Sequence, residues 1–321
     1  MPIYFQGYLR VSLIFLLIFK KKCCIINILY NERITAMNRR IPLLTASAAF
    51  GVLLPKIYRE MSVPNKSYCD IISERIPDSF DGFKIIHLTD LHNKVFGNNN
   101  EPLLNLIEPE QPDLIVMTGD MISHSAPNTE QFLSLVKNLC KLCPVYYVNG
   151  NHELSDLDEI EFTRVANVLS EHGAVCLDNT SVEFYRGNEY IRLCGLCYTA
   201  EYYRGVREYK RNWKSFMLTD MIDYLGINQP DDFTLLLAHN PLDFDVYAEW
   251  GADLTFSGHI HGGFIRLPIV KGLVSPERKL FPKYKEGLYK INDSSLVVSR
   301  GLGNIRINNP PEVVAVRLNK K

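Results

Sequence analysis

The stretch "KIIHLTDLH", Lys84–His92, decides how this sequence folds and where its chemistry lies. Its first residues have the composition of a short buried strand, and it ends in a carboxylate and an imidazole two positions apart, Asp90 and His92. One interpretation is an ordinary surface turn, because Asp tolerates turn geometry. The other is a metal site, which requires further ligands at the ends of neighbouring strands.

Other apolar strand-like runs along the chain end in the same kind of residue. "PDLIVMTGD" (112–120) ends in Asp120, and "FTLLLAHN" (233–240) carries His239. "PVYYVNGNHE" (144–153) and "ADLTFSGHIHGG" (252–263) end in polar clusters: Asn151, His152, Glu153, His259 and His261. Five of the eight histidines therefore follow apolar strands. Because ligands gather at strand ends in α/β sheets, this series favours a metal site over isolated turns.

The order of elements predicts an α/β protein. Helical spacing is found near 101–108, near 129–142 and in "EFTRVANVLSEHG" (161–173), each between strand-like runs, whereas strands dominate from 174 onward. Alternating elements followed by mostly strands predict a mixed core of two sheets. We expect a polar linker near 55–79, so that 61–79 form a linker and first segment and 80–321 form the main domain.

Taken in order, "DLH", "GD", "GNHE", a lone histidine and "GHIHGG" resemble the calcineurin-like metallophosphoesterase superfamily. The resemblance covers roughly 82–317, and "SGHIHGGFIRLP" and "VVSRGLG" are similar to its membrane-attached bacterial phosphodiesterase branch. It implies a four-layer α/β/β/α sandwich of two mixed β-sheets flanked by helices. It also implies hydrolysis of a phosphodiester in a small or lipid-linked substrate by a metal-activated hydroxide.

The resemblance also implies roles for individual residues. One metal ion would be held by Asp90, His92, Asp120 and His261, and the other by Asp120, Asn151, His239 and His259. Asp120 would bridge the two ions, and His152 would assist the leaving oxygen. Nitrogen and oxygen ligands without thiolates suit two divalent ions of Mn, Fe or Zn. The sequence departs from many relatives three residues after Asp120, where Ser123 replaces a carboxylate that orients the histidine of "GNH".

Two other functions stay open on the sequence alone. The first is a phosphomonoesterase or protein phosphatase on the same scaffold, and the second is a metal-binding scaffold protein without catalysis. The 35 Lys and Arg residues nearly balance 36 Asp and Glu residues, so no global field indicates nucleic acid. The expected partner is a phosphoester small molecule or a lipid headgroup, and no protein partner is predicted.

A basic, aromatic segment, "YYRGVREYKRNWK" (202–214), bears on the substrate. Its candidate anion-binding residues are Arg204, Arg207, Lys210 and Arg211. Cations interleaved with aromatic rings would suit an anionic headgroup, a nucleotide or a membrane surface. A solvated amphipathic segment with its aromatic residues packed inward explains the same pattern.

The N-terminal 60 residues have the composition of a leader. Two apolar stretches, 11–19 and 41–54, follow basic residues, and both are shorter than the ~20 residues of a spanning helix. The second stretch has the form of a signal peptide or short anchor near 37–55, with Met37 as the start of translation. We therefore expect membrane association at the extracytoplasmic face of the cell membrane. A buried core helix is the alternative.

Two C-x-x-C pairs, at Cys140 and Cys143 and at Cys194 and Cys197, allow either a structural zinc or a disulfide. About fifty residues separate the pairs, which exceeds the usual zinc-ribbon spacing. The sequence favours buried free thiols, because one pair continues a helical apolar stripe and the other falls in a strand-like run.

Overall fold

The computed structural model describes residues 62–122, 129–203, 214–263, 266–267, 271–272, 280–303 and 308–321. Two six-stranded mixed sheets dominate this part of the chain. The first has the strand order β1-β14-β2-β3-β4-β5, with these bounds: β1 Asn65–Ser73, β2 Lys84–Leu88, β3 Leu114–Thr118, β4 Val145–Val148, β5 Ala174–Cys176 and β14 Glu312–Lys320. In this first sheet β2, β3, β4 and β5 are parallel, and β14 runs antiparallel to β2.

The second sheet has the order β12-β13-β9-β8-β7-β6. Its strands are β6 Thr180–Arg186, β7 Glu189–Leu196, β8 Thr234–Ala238, β9 Leu254–Ser257, β12 Gly287–Ile291 and β13 Ser294–Val298. β7, β8, β9 and β13 are parallel, whereas the edge strands β6 and β12 are antiparallel to their neighbours. A separate two-stranded ribbon consists of β10 Arg266–Leu267 and β11 Lys271–Gly272.

Helices cover the outer faces of both sheets. Their bounds are α1 Glu101–Ile107, α2 Glu130–Leu139, α3 Asn151–Asp156, α4 Glu159–Glu171, α5 Leu218–Leu225 and α6 Phe244–Trp250. In α2 the buried residues Phe132, Val136 and Leu139 recur at helical spacing, so one face of the helix packs on the first sheet. The apolar face of α6 packs on the second sheet in the same way.

Three hydrophobic clusters correspond to the three interfaces of a four-layer sandwich. Residue alternation along β2 separates them: Ile86 faces the helices, whereas Ile85 faces the second sheet and packs in the same cluster as Leu235 and Phe256. The third cluster joins the second sheet to α5 and α6. The predicted α/β/β/α sandwich of two mixed sheets flanked by helices is thus confirmed.

The parallel pairing brings the functional strand ends to one edge of the sandwich. Leu88 pairs with Met117 and Thr118 with Val148, so β2, β3 and β4 end side by side. In the second sheet Leu237 pairs with Phe256, which aligns the ends of β8 and β9. A hydrogen bond from His239 Nδ1 to the Thr118 carbonyl, 2.6 Å, joins the two sheets at this edge.

The structure differs from the sequence expectations at several elements. The linker expected near 55–79 contains β1, which pairs along its length with β14, so 65–73 belong to the first sheet. The short helices α3, α5 and α6 were not predicted. The six described cysteines are free thiols, as favoured: Cys69, Cys140, Cys143, Cys176, Cys194 and Cys197. Within the described ranges no helix has both the length and the apolar character to cross a membrane, and the leader 1–60 lies outside those ranges.

Candidate metal centre

The backbone at the shared edge adopts a conformation that L-residues rarely use. Five non-glycine residues there have left-handed φ values between 50° and 66°: Asp90, His92, Asp120, His259 and His261. Such residues cost free energy unless the surrounding structure holds them in place. Their concentration at one edge of the sandwich indicates that the fold directs these five side chains towards a common point.

Asp120 lies at the centre of this point. Its Oδ2 is 3.1 Å from His239 Nε2, 3.9 Å from His152 Nε2 and 4.0 Å from His92 Nε2. Its Oδ1 accepts the backbone N–H of His152 at 2.9 Å. The side chain is only 2 % exposed. One buried carboxylate is therefore close to imidazoles that follow three different strands, two in the first sheet and one in the second.

Asp90 occupies the same edge, where β2 ends. Its Oδ1 is 3.6 Å from His261 Nε2, and its carboxylate accepts the backbone N–H of His259 at 3.1 Å and 3.2 Å. His261 Nε2 is 3.3 Å from His92 Nε2. Asp90 Oδ1 is also 4.0 Å from His239 Nε2, which itself lies beside Asp120. His239 therefore links the residues around Asp90 to those around Asp120 in one cluster.

Backbone carbonyls fix the orientation of two imidazoles. His239 Nδ1 donates to the Thr118 carbonyl, and His92 Nδ1 donates to the Ile122 carbonyl at 3.2 Å. A carbonyl can only accept, so in each neutral ring the proton is on Nδ1 and Nε2 carries a lone pair. Both Nε2 atoms face the carboxylates. This is the arrangement in which a metal-ligating histidine is held by its other nitrogen.

Glu153 supports the loop that presents Asp120. Its carboxylate accepts the backbone N–H groups of Asp120 at 2.9 Å, Met121 at 2.6 Å, Ile122 at 3.1 Å and Gly150 at 2.8 Å. Burial and the nearby Asp120 raise the pKa of Glu153, while these amide bonds lower it. The carboxylate of the "GNHE" motif thus ties the end of β3 to the end of β4.

The titration of the cluster shows how the carboxylates and imidazoles interact. Burial disfavours a charge on Asp120, but His239 and His152 outweigh burial and hold its pKa well below the usual range. Burial also opposes protonation of His239, yet Asp120 and Asp90 raise its pKa to about 9. Burial lowers the pKa of His259 to about 3 and that of His92 to about 4. A proton on His239 would therefore offset part of the carboxylate charge.

Two glycines, Gly150 and Gly258, allow the loops that carry them to approach the loops of Asp120 and Asp90 closely. A Cβ on Gly150 would lie 2.4 Å from Asp120 Oδ1. A Cβ on Gly258 would lie 2.2 Å from Thr89 Oγ1 and 2.3 Å from Asp90 Oδ2. A Cβ atom essentially never lies this close to a non-bonded atom, so any side chain at Gly258 would displace Asp90.

The donor set fits divalent metal ions. Three overlapping groups bring their ligand atoms within 4.8 Å of one another: Asp90 with His92 and His261, His92 with Asp120 and His152, and Asp120 with His239 and His259. The buried Asn151 Oδ1 has no hydrogen-bond partner. Imidazole nitrogens, carboxylates and one orphaned amide oxygen are ligands of first-row divalent metals, and a bound cation would replace the proton on His239.

The structure brings the predicted metal ligands and His152 to one edge of the sandwich. Asn151 lies between Gly150 and His152, both of which closely approach Asp120. The candidate anion-binding residues Arg204, Arg207, Lys210 and Arg211 lie outside the described ranges, and so does Ser123. His87, a residue of β2, bonds to Thr118 Oγ1 at 2.8 Å in the core between the sheets.

Sequence reasoning missed one contact of the site. Asp156 Oδ2 accepts a hydrogen bond from His152 Nδ1 at 3.0 Å. The signal was present in "NHELSD", where the histidine and the aspartate are four positions apart, the spacing of neighbours on a helix. It was overlooked because α3 is too short for an apolar periodicity to reveal it.

These features define a candidate metal centre at the strand ends of an α/β/β/α sandwich, and comparison with known proteins gives the family. The model of the calcineurin-like phosphoesterase family matches residues 83–263, and the chain belongs to this family.

Three curated relatives match most of the chain. It is 28 % identical to the metallophosphoesterase YkoQ of Bacillus subtilis (strain 168), over 83 % of this chain and 96 % of YkoQ. It is 26 % identical to the phosphodiesterase YaeI of Escherichia coli (strain K12), over 75 % of this chain and 84 % of YaeI. It is 25 % identical to the UDP-2,3-diacylglucosamine pyrophosphatase LpxG of Chlamydia muridarum (strain MoPn / Nigg), over 85 % of this chain and 95 % of LpxG.

Proposed function

We propose that this protein is a phosphodiesterase that uses two divalent metal ions to hydrolyse a small or lipid-linked phosphate substrate. Asp90, His92, Asp120 and His261 would hold one ion. Asp120, Asn151, His239 and His259 would hold the other. His152 would act on the leaving oxygen. Membership of the calcineurin-like phosphoesterase family supports metal-dependent phosphoester hydrolysis, and the finer assignments are proposals.

The observation that carries the proposal is the position of Asp120 between the sheets. Its carboxylate is 3.1 Å from an imidazole of the second sheet, His239, and about 4 Å from imidazoles of the first sheet, His92 and His152. A carboxylate has two oxygens and can bridge two cations. A structural role alone would not require three imidazole Nε2 atoms to converge on one buried carboxylate.

The bound ions would supply Lewis acidity, which lowers the pKa of water and neutralises charge on the phosphoryl oxygens. The protein's own contribution is to fix the ligand geometry before substrate arrives. Glu153 and the carbonyls of Thr118 and Ile122 do this, because they hold the Asp120 loop and two imidazoles by hydrogen bonds. Preorganised groups of this kind need no rearrangement at the moment of reaction.

His152 has the geometry of a group that acts on substrate rather than on the ligands. Its side chain is 28 % exposed, compared with none for His239, so it is accessible from solvent. Burial lowers its pKa, but Asp120 and Asp156 outweigh burial and raise the pKa above its ordinary value. A protonated His152 beside the phosphoryl group would donate to the oxygen that leaves.

The substrate class rests on the relatives. YaeI is named a phosphodiesterase, and LpxG is named a pyrophosphatase of a nucleotide-linked diacylglucosamine. Both substrates contain a phosphorus atom with two ester or anhydride substituents, which supports a diester-like substrate over a monoester. The apolar, basic-flanked stretch near 37–55 supports placement of the enzyme at the membrane, where a lipid-linked substrate would be found.

The test is hydrolysis of bis(p-nitrophenyl) phosphate and p-nitrophenyl phosphate side by side, with the full chain loaded with Mn²⁺ and an Asp120→Asn control. Turnover of the diester that is lost in Asp120→Asn is the expected result. Turnover of the monoester alone would replace the proposal with a phosphomonoesterase. Two bound metal ions with no hydrolysis of either ester would instead favour the non-catalytic scaffold protein.

Membrane placement has its own test. Cells that express the full chain should retain the protein in the washed membrane fraction, and a chain that begins at residue 56 should be released. Equal partition of both forms would contradict an anchor near 37–55.

A further inference from the structure

His152 and Asp156 are partners on the short helix α3. Their spacing of four residues places them on one face of the helix, and His152 Nδ1 is 3.0 Å from Asp156 Oδ2. The Asp156 side chain is only 2 % exposed. Its other oxygen, Oδ1, accepts a hydrogen bond from the Ser155 hydroxyl at 2.8 Å. Both oxygens of this carboxylate are therefore fixed.

Helix stability does not explain a carboxylate at this position. Asp156 is the last residue of α3, where the partial negative charge of the helix end disfavours an acidic side chain. Burial of the carboxylate adds a further cost. The contact with His152 offsets part of these costs, which supports a role of Asp156 towards the imidazole.

The bond to Asp156 determines which nitrogen of His152 faces the candidate metal centre. With Nδ1–H donated to the carboxylate, Nε2 remains on the side of Asp120, 3.9 Å from its Oδ2. The ring also stands almost perpendicular to the ring of His92, with 4.8 Å between centroids. These contacts favour a ring orientation in which Nε2 is directed at the candidate metal centre.

We propose that Asp156 is the positioning residue of His152: it holds Nδ1–H so that Nε2–H is presented to the leaving oxygen of a phosphodiester. This inference rests on the proposed function. As an attacking hydroxide forms its bond to phosphorus, the bond from phosphorus to the leaving oxygen breaks, the Nε2 proton passes to that oxygen and the imidazolium becomes neutral. The Nδ1 proton stays between the ring and Asp156 throughout.

This assignment resolves the departure noted in the sequence. Many relatives are expected to orient the same histidine with a carboxylate three residues after the bridging aspartate, where this chain has Ser123. Asp156 supplies a carboxylate to the same ring from the helix that carries the histidine.

The experiment compares two diesters that differ in their leaving group, methyl p-nitrophenyl phosphate and methyl phenyl phosphate, with the Mn²⁺-loaded full chain. Phenolate is the poorer leaving group and depends more on a proton donor. We expect Asp156→Asn to lower kcat about 10-fold on the p-nitrophenyl ester and about 100-fold on the phenyl ester, with KM within twofold. Asp156→Glu should restore part of this loss, and the bound metal should be unchanged.

Two controls separate positioning from a structural role. In a His152→Ala background, Asp156→Asn should cause no further loss, because the group through which it acts is gone. Asp223→Asn, which changes an exposed carboxylate on α5, should leave both rates unchanged.

Three outcomes would contradict the inference: equal losses on both esters, an undiminished loss in the His152→Ala background, or loss of bound metal in Asp156→Asn. A wild-type chain that hydrolyses no phosphodiester would instead overturn the proposed function, and this inference with it.

Discussion

The two ends of the sandwich both bury carboxylates but satisfy them in different ways. Before β8 and β9, Asp232 and Asp253 are held by the guanidinium groups of Arg192 and Arg75. Asp253 also accepts the Thr234 N–H at 2.8 Å. At the opposite end of the same strands, Asp120 faces the nitrogens of imidazoles whose other nitrogens are already bound. A guanidinium is always charged, so it neutralises the carboxylate that it contacts. A cluster of neutral imidazoles and carboxylates instead has ligand atoms that can bind a metal cation.

The largest expected effect comes from neutralising the central carboxylate. Asp120→Asn removes the charge that would bridge the two ions, so we expect kcat/KM for a diester to fall by at least about 1,000-fold. Steady-state kinetics with Mn²⁺ would measure this, and circular dichroism would show a folded chain. If Asp120→Asn kept activity within tenfold of wild type, Asp120 would not be the centre of a catalytic metal site, and the two ends of the sandwich would not differ in function.

A smaller effect is expected from crowding the loop of Asp90. Gly258→Ala places a Cβ about 2.3 Å from Asp90 Oδ2, so the carboxylate must shift. Misplacement of a ligand by about 1 Å lowers activity on the order of 100-fold. The control is Gly187→Ala at the turn between β6 and β7, where a Cβ meets nothing within 4 Å and the φ of 65° adds backbone strain at a turn outside the candidate metal centre. That control should retain full activity; an equal loss in both variants would show that the effect is not local.

The opposite end should respond in stability and not in activity. Asp253→Asn weakens the contact with Arg75, and we expect the free energy of unfolding to fall by about 2 kcal/mol. Urea denaturation would measure this value. Because Asp253 lies at the far end of β9 from His259, kcat should stay within twofold of wild type. A large loss of turnover would contradict the division of roles between the ends.

The smallest effect concerns His87, which lies between the two ends. Burial lowers the pKa of His87 to about 3 in the folded chain. Below pH 6.5 His87 is therefore protonated in the unfolded chain but stays neutral in the folded chain. Its contribution to stability is therefore present above pH 6.5 and is lost as pH falls towards 3. Between pH 7 and 5.5 wild type should lose about 1 kcal/mol more than His87→Gln in urea denaturation. Equal losses would mean that His87 is protonated in the folded chain.

The sequence predicts much of the fold and of the site for a physical reason. Strands such as β2 and β3 are short, fully buried runs, and the residue after each run must lie at a sheet edge, so Asp90 and Asp120 could be placed from their spacing alone. The edge strand β1 was missed because its exposed residues, such as Tyr68 and Ile72, do not resemble a buried run. Asp156 was missed because a helix of six residues leaves no periodic signal.

The most direct test of the metal centre is the number of divalent ions bound per chain. The full chain and Asp120→Asn would be dialysed against Mn²⁺ and analysed by inductively coupled plasma mass spectrometry, with Asp253→Asn as the control from the opposite end. We predict two ions for wild type and for Asp253→Asn, and at most one for Asp120→Asn. No bound ion in wild type, or the same number in Asp120→Asn, would contradict the account.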